Sequence, residues 1–279
     1  LEESVENITL RFMSHLLAKL SNDTIRISPL DLKSTNENKP VPQEVLDLLE
    51  TDEYQSILKF FEETVLFFEE RNATGVYKQV RSYAEKNGVT HRKKINIVNK
   101  ETGDSEVREV FDYYEPNDPK EYVIILTDHV SLLNPESGMD LRESINRFSE
   151  YMVMFRNRYN YIPVVIQQQN TETMGLDAFK AGKVRPTITG LGDSKYTGRD
   201  CSVMLGITNP YSHEINNYLG YDISKFKGNI RFLEVVLNRE GQSNGIVALY
   251  FDGKTCTFKE LPPPNDKESL EKIYKYLDK

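Results

Sequence analysis

The sequence predicts an α/β fold with a mainly parallel central sheet, antiparallel strands at its C-terminal edge and an inserted β-hairpin. Three observations predict it. Two short apolar runs, VIIL (123–126) and YIPVVIQQQ (161–169), flank a helical stretch at 140–159, and strand–helix–strand order implies parallel neighbours. SVMLGI (202–207), FLEVVL (232–237), IVALYF (246–251) and TCTFKE (255–260) then follow as strand after strand, with a short turn at Asp252-Gly253 that implies an antiparallel edge. Earlier, KINIVNKETGDSEVREVFDYY (94–114) sets two β-rich runs around a turn carrying Gly103 and Asp104, the signal of a hairpin.

In chain order, residues 4–20 read as an amphipathic helix. Ser4 can cap it, and Val5, Ile8, Phe12 and Leu16 share a face with Met13, Leu17 and Leu20. A polar stretch with Pro29, Pro40 and Pro42 follows; Pro42 suits the first turn of a second helix carrying Val45, Leu48, Leu49, Ile57 and Leu58. VLFFEE (65–70) reads as a buried strand, and 75–87 as a helix closed by Gly88. PNDP (116–119) breaks the chain. In the helix at 140–159, Leu141, Ile145, Phe148, Met152 and Phe155 lie on one side. A loop containing Gly and Lys spans about 170–197, and a charged tail from 265 reads as a helix.

The 279 residues suit one large α/β domain, or one domain with an insertion. Hydrophobic residues at 38% and charged residues at 28% are an ordinary globular balance. No apolar run approaches the roughly 20 residues of a membrane helix, and no secretory signal is visible. Leu1 leads straight into a helical pattern, as in a piece of a longer protein. Cys201 and Cys256 read as buried free thiols, and with four scattered histidines they give no zinc spacing. A reducing cytoplasm fits this cysteine usage. The net charge of −8 argues against coating nucleic acid nonspecifically, but it leaves room for a local basic channel.

Three residues carry candidate chemistry. Asp128 closes the apolar strand in YVIILTDHVSLL (122–133), where a carboxylate can hold Mg²⁺ through water. Gln168 ends the next parallel strand, where a neutral amide can sense a γ-phosphate or orient water. Arg239 follows FLEVVL and precedes Gly241 and Gly245, which allow a tight exit, so its guanidinium can reach a phosphate across a subunit boundary. Each has a plainer reading when taken singly: a loop-capping acid, a solvated amide, a surface cation.

Their order changes the balance. Strand–Asp, helix, strand–Gln, long loop, strand, then strand–Arg–Gly turn–strand resembles the C-terminal half of a RecA-like P-loop NTPase core, and in detail the ATPase domain of DnaB-type replicative DNA helicases. LEE (1–3) is similar to the end of that family's Ser-Leu-Glu segment, which puts Glu2 at the catalytic glutamate; ENITLRFMSHLLA is similar to the helix after it. TGVYKQVRSYAEKNG (74–88) resembles the helix before the Walker B strand, Asp128 matches the Walker B aspartate, and Gln168 with Asn170 matches a strand-end pair. LGDSKYTGRDCSVML (191–205) resembles the segment leaving the DNA-binding loop, Arg239 matches the arginine finger, and ALYFDGKTCTF matches the closing hairpin. The resemblance covers nearly the whole chain except about 89–120.

The resemblance implies an ATPase domain over 1–264 and a charged tail over 265–279. It implies ATP and Mg²⁺ as cofactors, single-stranded DNA as track, a homohexameric ring, and partners such as a primase or helicase loader. Lys180, Lys183, Arg185 and Lys195 fall in the loop where that family faces DNA; their plainer reading is a solvated basic loop.

Departures stand beside the likeness. His129 replaces a usual Tyr, Leu237 a usual Lys, and Gly192-Asp193 an Arg-Glu pair, and the hairpin is inserted and expected to be dispensable for folding. They fit a divergent, phage-borne member in a bacterial cytoplasm. The phosphate loop, Gly, four residues, then Gly-Lys-Ser/Thr, is absent; KAGKV (180–184) and GLGDSKYTG (190–198) lack its spacing. The resemblance therefore places that loop upstream of Leu1, and the chain as given is expected to be inactive alone. Two other readings stay open: a different RecA-like ATPase of recombinase or clock type, and a noncatalytic interaction module that kept the fold.

Overall fold

The computed structural model describes residues 3–33, 40–98, 103–170 and 184–277. The chain forms two compact units. One comprises Phe68–Gln168 and Leu191–Cys201; the other comprises Glu3–Phe67, Gln169–Gly190 and Ser202–Lys279.

The second unit opens with α1 (Val5–Leu20), capped by the Ser4 hydroxyl, which accepts from the Asn7 N–H at 3.2 Å. Its periodic face buries Leu16 and Leu17 with Phe12, Met13 and Leu20 around them, as the 3.6-residue spacing predicts. After the short α2 (Pro29–Leu32) come α3 (Gln43–Leu49) and α4 (Asp52–Thr64). The expected single helix here is two. Thr51 caps α4 by accepting from the Tyr54 N–H at 3.3 Å, with Asp52 and Glu53 in the first turn, so a start signal inside the apolar pattern breaks it. Tyr54 and Val45 complete this cluster. The expected buried strand at 65–70 does not form. That stretch has no ladder partner among the described residues, and Val65, Leu66 and Phe68 are exposed.

The same unit carries a four-stranded antiparallel sheet in the order β10-β9-β8-β5, from β5 (Val203–Thr208), β8 (Ile230–Asn238), β9 (Ile246–Asp252) and β10 (Thr257–Glu260). Between β5 and β8 run the two-residue strands β6 (Asn217–Tyr218) and β7 (Tyr221–Asp222). Ile223, Phe226, Ile230, Phe232 and Ala248 form the core under the sheet, with Leu270 from the C-terminal helix, Lys267–Leu277. Arg26 donates to Asp252 from Nε at 3.2 Å and Nη2 at 2.6 Å, and the Thr255 hydroxyl donates to the same carboxylate at 2.7 Å.

The first unit packs α5 (Ala73–Lys86) against α6 (Leu141–Tyr159) around Ala84, Val130, Ile145, Phe148 and Phe155. A reciprocal capping box between Asp140 and Glu143 starts α6, and left-handed Asn160 ends it. Glu136 accepts from the Thr74 N–H at 2.6 Å and from Arg147 at 2.7 Å, tying the loop before α6 to the start of α5. Thr74 first, then Arg147, hold this carboxyl below the usual range against the opposing effect of burial. Gly88 does not close α5; Asn87 does. A Cβ at Gly88 would stand 2.4 Å from the Tyr114 hydroxyl, so the position is constrained by close approach.

The expected hairpin is present and longer than 94–114. β1 (Gly88–Val98) pairs antiparallel with β2 (Ser105–Pro116), with a bulge between His91 and Arg92. Its base belongs to the core: Tyr114 donates to the Ala84 carbonyl at 2.9 Å, and its ring meets those of Tyr159 and Tyr161. Tyr114 thus ties the end of 94–114 to the core, which weighs against all of that stretch being dispensable for folding.

Among the described residues, parallel pairing is confined to β3 (Ile124–Thr127) and β4 (Ile162–Val165). A mainly parallel sheet was expected; the ladders are mostly antiparallel. Only β3 and β4 are joined by a crossover helix, α6, whereas the short links β8–β9 and β9–β10 permit hairpins alone. Cys201 and Cys256 are free and half-buried, not buried.

Candidate functional site

The strand–helix–strand unit builds the site. β3 and β4 run in register from Ile124 opposite Ile162 to Thr127 opposite Val165, and the Ile166 N–H continues the ladder to the Thr127 carbonyl at 2.9 Å. Parallel strands end at the same edge, so Asp128 and the 167–168 pair emerge side by side. Exposure alternates through these ends. Ile125 and Val165 pack on the core, while Ile124, Leu126, Ile162, Val164 and Ile166 are exposed, Leu126 by 63%. Gln168 is exposed and Asp128 half-exposed, whereas His129 is buried and Gln167 half-buried.

Asp128 and Gln168 are thus brought together at one strand-end edge. Neither side chain makes a hydrogen bond or ion pair to another described residue, so a carboxylate and an amide stand available to a ligand. One half-exposed carboxylate with no partner among the described residues is the kind of ligand that fits Mg²⁺, which keeps several waters and takes few carboxylates besides substrate phosphates.

Gln167, which sequence reasoning passed over, organises the same edge. Its Nε2 donates to the carbonyls of Gly192 and of Ser194, the latter at 2.9 Å, and its Oε1 accepts from the Thr197 hydroxyl. The Gly192 N–H donates to the Gln168 carbonyl at 3.0 Å. Ser131 donates to Asp193 at 2.5 Å, and Ser194 to Asn146 at 2.5 Å. Gly192-Asp193, a departure in the sequence, is therefore the pinned part of the loop, with Asp193 in the left-handed region at φ 56°. Lys195 follows, exposed, at the start of the short helix α7 (Tyr196–Asp200). Strand alternation could have found Gln167, because it puts that amide on the inward set with Val165.

In the other unit, Arg239 leaves β8 exposed, with its N–H bonded to the Ser202 carbonyl at 3.0 Å. The turn beyond it does not rest on Gly241 or Gly245: the left-handed residue is Asn244, at φ 67°. Arg185 is held by two donor bonds to Glu234, a buried carboxylate on β8, so its guanidinium is committed to an ion pair. That pairing removes the argument for Arg185 as a bare cation facing DNA. Glu2, Lys180 and Lys183 lie outside the described residues.

No family model matches the sequence, and no curated protein matches it. Among solved structures, the chain is similar to the ATPase domain of G40P, with a TM-score of 0.53 and 12% identity over 92% of this chain and 70% of that one. At that identity the likeness shows the fold alone: this chain shares the α/β architecture of that domain.

Proposed function

We propose that this chain is the greater part of a DnaB-type helicase motor, which hydrolyses ATP with Mg²⁺ and moves along single-stranded DNA. The observation that carries the reading is the paired strand ends, where Asp128 and Gln168 stand at one edge with no side-chain partner among the described residues, beside a loop clamped by Gln167. Bound Mg²⁺ would neutralise charge on the phosphates. Asp128 would hold a water of its shell, and Gln168 would relay occupancy of the phosphate site to the clamped loop carrying Lys195. Glu2 would polarise the attacking water. Arg239 would serve a neighbouring subunit's nucleotide in a ring.

On this reading hydrolysis also needs a phosphate cradle, and the sequence holds no Gly, four residues, then Gly-Lys-Ser/Thr pattern. The same lack favours one second reading, a noncatalytic module that kept the fold.

The test uses the full-length protein. Asp128→Asn should abolish ATP turnover while circular dichroism and melting stay as in wild type. Turnover within a few-fold of wild type would show that Asp128 is a loop residue. A full-length protein that binds no ATP would favour the module.

A further inference from the structure

The hairpin carries a site that the motor reading does not use. Between α5, the hairpin and the end of α6 lies a groove of about 610 Å³, within the range of roughly 300–1,000 Å³ usual for ligand pockets. Its aromatic wall is Tyr77, Phe111 and Tyr159; Tyr77 stacks on Tyr151 at 4.6 Å, which fixes the ring. Three guanidiniums line it. Arg81 is neutralised by Glu85 at 2.7 Å. Arg92 and Arg158 have no carboxylate partner among the described residues, and one further acid, Glu109, lines the groove. Beyond the neutral pair the lining therefore holds two cations and one anion.

Phe111 lies between those two cations. Arg158 sits over its ring, 5.3 Å from the centroid, and Arg92 is its ladder partner across the strands, on the same face. Guanidiniums with no carboxylate partner among the described residues, set beside aromatic rings, suit a ligand that offers phosphates and planar bases together. An acidic peptide would satisfy the cations and leave the ring faces unused.

We propose that this groove binds single-stranded nucleic acid, with phosphates on Arg92 and Arg158 and a base against the aromatic wall. The site stands apart from the loop carrying Lys195, and it holds whether or not the protein is a motor.

The test is fluorescence anisotropy of the full chain with a short labelled oligothymidylate, titrated between about 50 and 200 mM salt. Arg92→Ala and Arg158→Ala should each weaken binding several-fold and lower the salt slope by about 0.7. Phe111→Leu should weaken binding roughly tenfold with the slope unchanged. Arg92 is exposed, so its variant leaves the fold intact, and Arg158→Lys separates charge from stacking. No binding by wild type, or binding unchanged in both arginine variants, overturns the inference. Loss confined to Lys195→Ala overturns it too, while leaving the motor reading in place. If poly-glutamate binds with the same dependence on Arg92 and Arg158 and the oligothymidylate does not, the groove is a peptide site and the proposal is wrong.

Discussion

Adjacent glutamines at the end of β4 should behave in opposite ways. Gln167→Ala removes three hydrogen bonds, to the Gly192 and Ser194 carbonyls and from the Thr197 hydroxyl. At about 1 kcal/mol net for each bond the loss is about 3 kcal/mol, lowered toward 2 because the side chain is only half-buried. Gln168→Ala removes no side-chain bond to a described residue from an exposed position and should change stability by less than about 0.5 kcal/mol. Urea unfolding measures the difference, and hydrogen exchange localises it. Amides from Leu191 to Cys201 should exchange faster in Gln167→Ala and as in wild type in Gln168→Ala. In the full-length protein the order reverses for function: Gln168→Ala should uncouple ATP turnover from DNA while folding normally. If Gln167→Ala is as stable as wild type, the loop is not clamped by that amide. If Gln168→Ala is the destabilised one, the assignment of inward and outward faces is wrong.

Arg185→Ala should cost about 1–2 kcal/mol, because Glu234 is buried and loses its partner, a penalty discounted for the half-exposed guanidinium; denaturant titration reads it, and no loss would show that the pair is idle. Burial pushes the Asp252 carboxyl up, but bonds from Thr255, Arg26 and the Lys254 N–H outweigh it, so its folded pKa is below the ordinary 3.8. A depressed carboxyl contributes stability above its unfolded pKa and loses it as pH falls through the folded one. Wild type should therefore lose stability below about pH 4, and its advantage over Asp252→Asn should narrow there; melting scans between neutral pH and about pH 3 that keep a constant gap would contradict this. Replacing 96–107 with a short Gly-Ser turn should leave melting nearly unchanged, since the described residues among them, 96–98 and 103–107, are exposed and lie beyond the packed base. Tyr114→Ala should cost about 3 kcal/mol through lost ring contacts and the lost bond to Ala84, measurable by the same melting scan.

Much of the fold was legible because local rules decide it. The face of α1, the apolar side of the helix expected over 140–159 and the hairpin around Gly103 each rest on periodicity or turn chemistry confined to a few neighbouring residues. The same holds for Asp128 and Gln168, since a crossover helix forces parallel strands and parallel strands share an edge. What the sequence could not settle depends on partners distant along the chain. VLFFEE has strand composition but no ladder to join among the described residues, and composition alone does not supply a neighbour. Arg185 reads as a loop cation until Glu234, 49 residues away, is placed against it. Gln167 and Gln168 are the same residue type side by side; alternation puts Gln167 on the inward set, but only the packing of the 191–197 loop supplies the carbonyls and hydroxyl that make it a clamp. Tyr114 looks like hairpin surface until Ala84 and Tyr159 come together beneath it. Local pattern determined most of the helices and strands and the strand ends that carry Asp128 and Gln168. Tertiary contact decided which of those side chains are already occupied, because a hydrogen bond or ion pair to a distant residue leaves no mark on the local sequence.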